Sequence, residues 1–136
     1  MRTSDTGNSL PGSGKTILVL DDEPDVRKLI TTTLTSDGYR VLTADNGESA
    51  IKAFKKSRQP VDLALLDVVS PGMSGPMVAD RIAELEPKLP ILFMSGYGDT
   101  IVVQRYVVDK GYALLPKPFT GEQLVKKVGE VLAARR

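Results

Sequence analysis

Three aspartates, a serine and a lysine are the side chains whose types and spacing suggest shared chemistry. Asp21 and Asp22 follow the apolar run Ile17-Leu18-Val19-Leu20, Asp67 follows Val61 to Leu66, Ser95 follows Ile91 to Met94, and Lys117 stands just past Ala113 to Leu115. Taken singly, each has a plain structural explanation: Asp21 or Asp22 as a helix cap, Asp67 as a turn starter, Ser95 as a satisfied hydroxyl, Lys117 as a solvated charge. Together they differ, because three carboxylates gathered at one edge repel each other and raise their pKa values unless a cation joins them. Asp21, Asp22 and Asp67 carry three negative charges and Lys117 returns one, so the net deficit matches one divalent ion. Oxygen-only ligands suit Mg²⁺, which keeps several waters and favours carboxylate and phosphate partners. A carboxylate beside a divalent cation and a lysine has the parts of a phosphoryl-transfer site, with the carboxylate as nucleophile and the cations stabilising charge on the equatorial oxygens.

A parallel sheet brings these residues to one edge. Ile17 to Leu20 is continuously apolar, as a central strand covered on both faces must be. Val26, Leu29, Ile30 and Leu34 then lie at helical spacing, with Pro24 suited to a first turn and Gly38 to the stop. Tyr39 to Thr43 reads as a second strand, and Ala50, Ile51 and Phe54 mark a helix ending before Pro60. Val61 to Leu66 is a third strand, followed by a Ser70-Pro71-Gly72 turn and a helical stripe of Val78, Ile82 and Leu85. Ile91 to Met94 and Ala113 to Leu115 complete five strands. Between them, Thr100 to Lys110 is rich in β-branched residues, individually poor helix formers. It is nevertheless expected to be helical, with Gly111 as its stop, because parallel strands need a crossover. Thr120 and Gln123 form a capping-box signature ahead of Leu124, Val128, Val131 and Leu132. Such an open α/β sheet places its ligand site at the carboxyl ends of the strands, where all five candidate residues fall.

The composition narrows the chemistry further. The 136 residues suffice for one domain, and 41% hydrophobic residues supply one core. Eighteen Lys and Arg against seventeen Asp and Glu give a net charge of +1, so no global field draws the chain to nucleic acid or an anionic membrane. The absence of Cys and His removes disulfides, thiol or imidazole nucleophiles and ordinary zinc sites. No apolar stretch approaches the ~20 residues that span a bilayer, and the N-terminus lacks a signal-peptide apolar region, so a cytoplasmic location is expected. Residues 1–15 hold little that is apolar and read as a flexible leader or linker, with the folded domain over 16–136.

Asp21-Asp22-Glu23 after an apolar strand, Asp67-Val68-Val69-Ser70-Pro71-Gly72-Met73-Ser74-Gly75, Met94-Ser95-Gly96 and Leu115-Pro116-Lys117-Pro118-Phe119 together resemble the receiver domain of two-component response regulators. The likeness covers nearly everything after Thr16. The segment Ser95-Gly96-Tyr97-Gly98 and the Gly12-Ser13-Gly14 leader look most like receivers attached to hybrid histidine kinases. The resemblance implies a flavodoxin-like, doubly wound five-stranded sheet in the order 2-1-3-4-5, with five helices. It implies that Asp67 accepts a phosphoryl group, that Asp22 binds Mg²⁺ directly and Asp21 largely through water, and that the backbone carbonyl of Val69 completes the protein ligands. Ser95 would turn its hydroxyl to the phosphate, and Lys117 would pair with a phosphate oxygen. The phosphodonor would be a histidine kinase or phosphotransfer protein, and a phosphorylation-linked homodimer is compatible with the resemblance. The domain would turn over only its own phosphoryl group, although a longer parent chain of the hybrid-kinase type stays open.

Two positions depart from that pattern. The family usually carries an aromatic residue three positions before the lysine, where this chain has Leu114; Tyr112 lies one pleat away on the same face. Ser70 stands three after Asp67, where Met is frequent. Other classes fit less well. Gly-Lys-Thr at residues 14–16 resembles the end of a phosphate-binding loop, but Ser9 replaces its first glycine and the segment precedes a strand instead of following one. A haloacid-dehalogenase-like Mg²⁺ phosphatase would use Asp21 as nucleophile but expects a second aspartate where Glu23 stands. A receiver-like interaction module that is never phosphorylated would not need the complete set of Asp21, Asp22, Asp67, Ser95 and Lys117.

Overall fold

Five buried or half-buried runs and five amphipathic stretches alternate along the computed structural model, which describes residues 14–96 and 101–134. In chain order they are β1 (Thr16–Leu20), α1 (Pro24–Ser36), β2 (Arg40–Ala44), α2 (Gly47–Lys56), β3 (Val61–Asp67), α3 (Gly75–Leu85), β4 (Ile91–Ser95), α4 (Ile101–Asp109), β5 (Ala113–Pro116) and α5 (Gly121–Ala134). All strand pairs are parallel and the order is β2-β1-β3-β4-β5. This is the flavodoxin-like topology expected from the sequence.

The period-two geometry of a strand sends alternate residues to opposite faces, and here both faces are covered. Leu18, Leu20, Ala64, Leu66 and Phe93 pack with Ala50 and Ile51 of α2, Val78 and Ile82 of α3, and Val107 of α4. Ile17, Val19, Leu63, Leu65, Leu92 and Met94 pack on the other side with Ile30 and Leu34 of α1 and Leu124 and Val128 of α5. Val131 and Leu132 lie partly buried against this second cluster.

Several details differ from the sequence-based expectation. β2 begins at Arg40, because the amide of Tyr39 donates to Leu34 O at 3.0 Å and is used to finish α1; Gly38, at φ 96°, permits that reversal. The buried stripes are also narrower. Leu29 is 44% exposed because it stands about 100° around the helix from Ile30, at the margin of the stripe centred on Ile30 and Leu34. Leu85, the last residue of α3, is 50% exposed. α4 forms despite its β-branched residues, anchored by fully buried Val107 and closed by Gly111 at φ 77°. The capping box of α5 is reciprocal: Thr120 N donates to Gln123 Oε1 at 2.8 Å, and Gln123 N donates to Thr120 Oγ1 at 3.1 Å. Gly14 and Lys15 are tied to the sheet margin, through Gly14 N to Gly38 O at 2.9 Å and Arg40 N to Lys15 O at 2.8 Å.

Candidate functional site

Strand register brings the site together. Asp67 and Ser95 are the last residues of β3 and β4, Asp67 lies opposite Met94, and Ser95 lies opposite Pro116. Past that pair the amide of Lys117 donates to Ser95 O at 2.8 Å, which carries the lysine to the same edge as the aspartates. Asp21 leaves β1 with its amide donating to Ala44 O at 3.1 Å. The turn after Asp67 requires a small residue: Gly75 N donates to Val68 O at 2.9 Å, and a Cβ on Gly75 would collide with the carbonyl of Asp67. Ser74 caps α3 by accepting from Met77 N at 3.3 Å.

The lysine ammonium sits among the acids. Lys117 Nζ is 2.7 Å from Asp21 Oδ2, 3.2 Å from Asp67 Oδ2 and 3.5 Å from Glu23 Oε1. Asp21 is fully buried and Asp67 is 6% exposed, so these two contacts act with little screening. The Glu23 side chain is 63% exposed, and its pair contributes little. The other oxygen of Asp21 accepts from Glu23 N at 2.9 Å, and Asp67 Oδ1 accepts from Val69 N at 3.3 Å. Arg27, in the first turns of α1, donates from Nη1 to the backbone oxygen of Asp21 at 2.8 Å.

Burial is the main influence on Asp67 and pushes its pKa up to about 6; Lys117 opposes the rise and the charge of Asp21 adds to it. Mutual repulsion is thus a smaller cause than desolvation, whereas the sequence alone pointed to repulsion. Burial disfavours the charged lysine, but Asp21 and Asp67 outweigh it and hold the Lys117 pKa above its ordinary value. The consequence for stability has a definite sign. A carboxyl that is more basic folded than unfolded stabilises the fold fully below about pH 4, and that contribution is lost as pH rises through about 6. In chelator, the protein is therefore expected to lose on the order of 2 kcal/mol between pH 4 and pH 8 through this group. Asp67→Asn should flatten that loss, which denaturant melts at both pH values measure; an unchanged slope would refute it.

Carboxylate oxygens of Asp21, Asp22 and Asp67 lie within 4.8 Å of one another, close enough to hold one cation. The donor set is oxygen only, which suits Mg²⁺. Asp22 is exposed and lines, with Asp67, Val69 and Lys117, a cleft of about 740 Å³ whose apolar wall includes Val26, Leu29, Pro118 and Phe119. Ser95 is 7% exposed at the base of the site, and it is Gly96 that lines the cleft. The structure therefore gathers Asp21, Asp22, Asp67 and Lys117 into one cluster and places Val69 and Ser95 beside it. Sequence reasoning did not single out Glu23 or Arg27 as members; the turn after β1 could have indicated Glu23, but the reach of Arg27 back to Asp21 has no sequence signature.

Farther from the cleft, Leu114 and Tyr112 both pack against the cluster beneath α3 and α4. Tyr112 meets Phe93 edge to face at 5.2 Å and Tyr106 at 6.4 Å, and the Tyr106 hydroxyl donates to Asp80 Oδ1 at 2.9 Å. These contacts join β4, α4 and α3 around the start of β5. Tyr97 lies outside the described residues.

A doubly wound parallel sheet that presents an acidic cluster and a lysine at its carboxyl edge is a flavodoxin-like α/β module, with its charged residues at the edge where such folds place their ligand sites. Residues 17–129 match the family model of the response regulator receiver domain. The response regulator receiver protein CpdR of Brucella abortus is 32% identical over 120 residues, covering 88% of this chain and 98% of that protein. The sensor kinase CckA of the same organism is 34% identical over 123 residues, but the chain spans only 13% of its length. A putative response regulator of Chloroflexus aurantiacus superposes with a TM-score of 0.78 at 32% identity, over 88% of this chain and 98% of that one. The chain belongs to the response regulator receiver domain family of two-component signalling.

Proposed function

We propose that this domain accepts a phosphoryl group on Asp67, with Mg²⁺, from the phosphohistidine of a histidine kinase or phosphotransfer protein. The observation that carries the reading is the Lys117 ammonium held between Asp21 and Asp67 beside an open, oxygen-rich cleft. One carboxylate oxygen of Asp67 attacks phosphorus, the N–P bond breaks, and its electron pair leaves with the donor imidazole. A pKa of about 6 keeps Asp67 ionised at neutral pH while making it more basic than an ordinary aspartate. Asp21, Asp22, Asp67 and the carbonyl of Val69 would hold the cation, which supplies charge neutralisation at the transferring oxygens. Lys117, against Asp67, adds a second positive charge for the transferring oxygens, and Ser95 turns its hydroxyl to the product. The phosphatase reading is weaker, because Glu23 stands where that chemistry needs an aspartate and its side chain instead faces Lys117.

The domain extends over 16–136, with Gly14 and Lys15 of the preceding leader hydrogen-bonded to its margin, works in the cytoplasm, and does not itself bind nucleic acid or membrane; among the described residues no helix is long and apolar enough to cross a membrane. Phosphorylation switches an output surface around α4 and β5 through Ser95 and backbone movement, because Leu114 stands at the usual aromatic position and Tyr112 is packed against Phe93 and Tyr106; a homodimer is one form of that output. The test is uptake of one phosphoryl group from acetyl phosphate, followed by intact mass in Mg²⁺ and in chelator. Uptake that ignores the chelator would count against the cation.

The lifetime of the product depends on water at the phosphate. The Val69 side chain is 59% exposed beside Asp67 and cannot orient a water by hydrogen bonding. Val69→Asn, alone or with Tyr97→Glu, is expected to speed dephosphorylation about tenfold for each ~1.4 kcal/mol of water positioning gained. Phosphate release after donor removal measures it, and an unchanged or slower rate would show that water access is governed elsewhere.

A further inference from the structure

We infer that Arg27 is a positioning residue for the cation site: its guanidinium holds the backbone of Asp21 and so sets the loop that presents Asp21 and Asp22. The inference rests on the Mg²⁺ reading above. Asp21 is held at four points. Its amide donates to Ala44 O, Oδ1 accepts from Glu23 N, Oδ2 faces Lys117, and its carbonyl accepts from Arg27 Nη1 at 2.8 Å. Three of these belong to the strand, the turn and the lysine; among the described residues, the fourth is the side-chain hydrogen bond that reaches the Asp21 carbonyl. Arg27 reaches it because its own amide donates to Glu23 O, which places it one turn into α1, and helical side chains lean toward the N-terminus.

The choice of acceptor matters. By bonding a carbonyl, the guanidinium restrains the chain without occupying a carboxylate oxygen that a cation would need. The restraint is a single hydrogen bond from Nη1, which another cationic donor of similar reach can in part replace. Two effects oppose each other, since a nearby positive charge weakens cation binding whereas a preorganised loop strengthens it. Groups that orient metal-binding residues from outside the ligand set typically govern roughly 10–100-fold in metal affinity, so positioning should prevail.

Titration with Mg²⁺ alone, by calorimetry, on the wild type, Arg27→Met and Arg27→Lys tests this, together with amide exchange at Asp22 and Glu23 in chelator. Arg27→Met keeps the apolar stem and is expected to bind Mg²⁺ roughly tenfold more weakly, with faster exchange at both amides. Arg27→Lys, which keeps the charge and a donor, should recover most of the affinity. Arg27→Met binding as tightly as the wild type, or more tightly, overturns the inference. So does a roughly tenfold loss in Arg27→Lys, the variant that decides the matter if Arg27→Met folds poorly. A wild type that takes up no Mg²⁺ overturns the cation reading itself, while faster exchange in Arg27→Met would still support the restraint on the loop.

Discussion

Lys117→Met is expected to slow phosphorylation by a small-molecule donor by roughly 10²- to 10³-fold, the cost of removing one preorganised charge-stabilising donor. The ammonium lies 2.7 Å from Asp21 and 3.2 Å from Asp67, so its loss removes the cation that offsets two buried carboxylates. A second effect acts in the same direction. Lys117 is what lowers the Asp67 pKa against burial, so without it the nucleophile moves above about 6 and more of it is protonated at neutral pH. The two effects separate with pH: raising the pH should recover the protonation part of the loss and leave the electrostatic part. Lys117→Arg restores charge but not the compact ammonium, and should recover little. Initial rates of mass increase with acetyl phosphate measure all three proteins, and a Lys117→Met rate within a few-fold of wild type would remove the lysine from the mechanism.

Asp22→Asn is expected to abolish most of the stabilisation that Mg²⁺ confers. Asp22 is the exposed member of the cluster, and among the described residues the Lys117 contacts fall on Asp21, Asp67 and Glu23, so its carboxylate lines the cleft without the lysine against it. At about 100 times its dissociation constant, a bound cation stabilises the native state by about 2.7 kcal/mol, and that increment should shrink towards zero in the variant. Phosphorylation should fall in parallel, by at least about 10²-fold, because metal stabilisation of phosphoryl charge is worth several kcal/mol. Thermal melts with and without Mg²⁺ give the first quantity. An equal Mg²⁺-induced shift in both proteins would place the cation elsewhere.

The alternation of apolar runs with amphipathic stretches made the parallel sheet and its strand ends legible, because a parallel strand covered on both faces leaves a short, continuous apolar signature, as at Ile17 to Leu20; the strand order came from the family resemblance. The cluster of Asp21, Asp22, Asp67 and Lys117 was legible for the same reason: each residue ends or follows such a run, and parallel pairing aligns those ends. What the sequence could not show depends on angles and distances. Leu29 shares the helical spacing of Ile30 and Leu34, yet a rotation of about 100° takes it out of the core and beside the cleft. Tyr39 has strand propensity, but its amide is used to close α1. The pKa of Asp67 rises chiefly through burial, which residue types alone do not reveal. Arg27 reaches back past a turn to Asp21, a contact set by side-chain direction rather than by periodicity.

Asp67 is expected to carry the phosphoryl group. The most direct measurement is site mapping: the protein is labelled with acetyl phosphate and Mg²⁺, the acyl phosphate is trapped by borohydride reduction, and the modified residue is located by peptide mass. One reduced residue is expected, at position 67, in the wild type and none in Asp67→Asn. Trapping at Asp21 or Asp22, or equal labelling of Asp67→Asn, would contradict it.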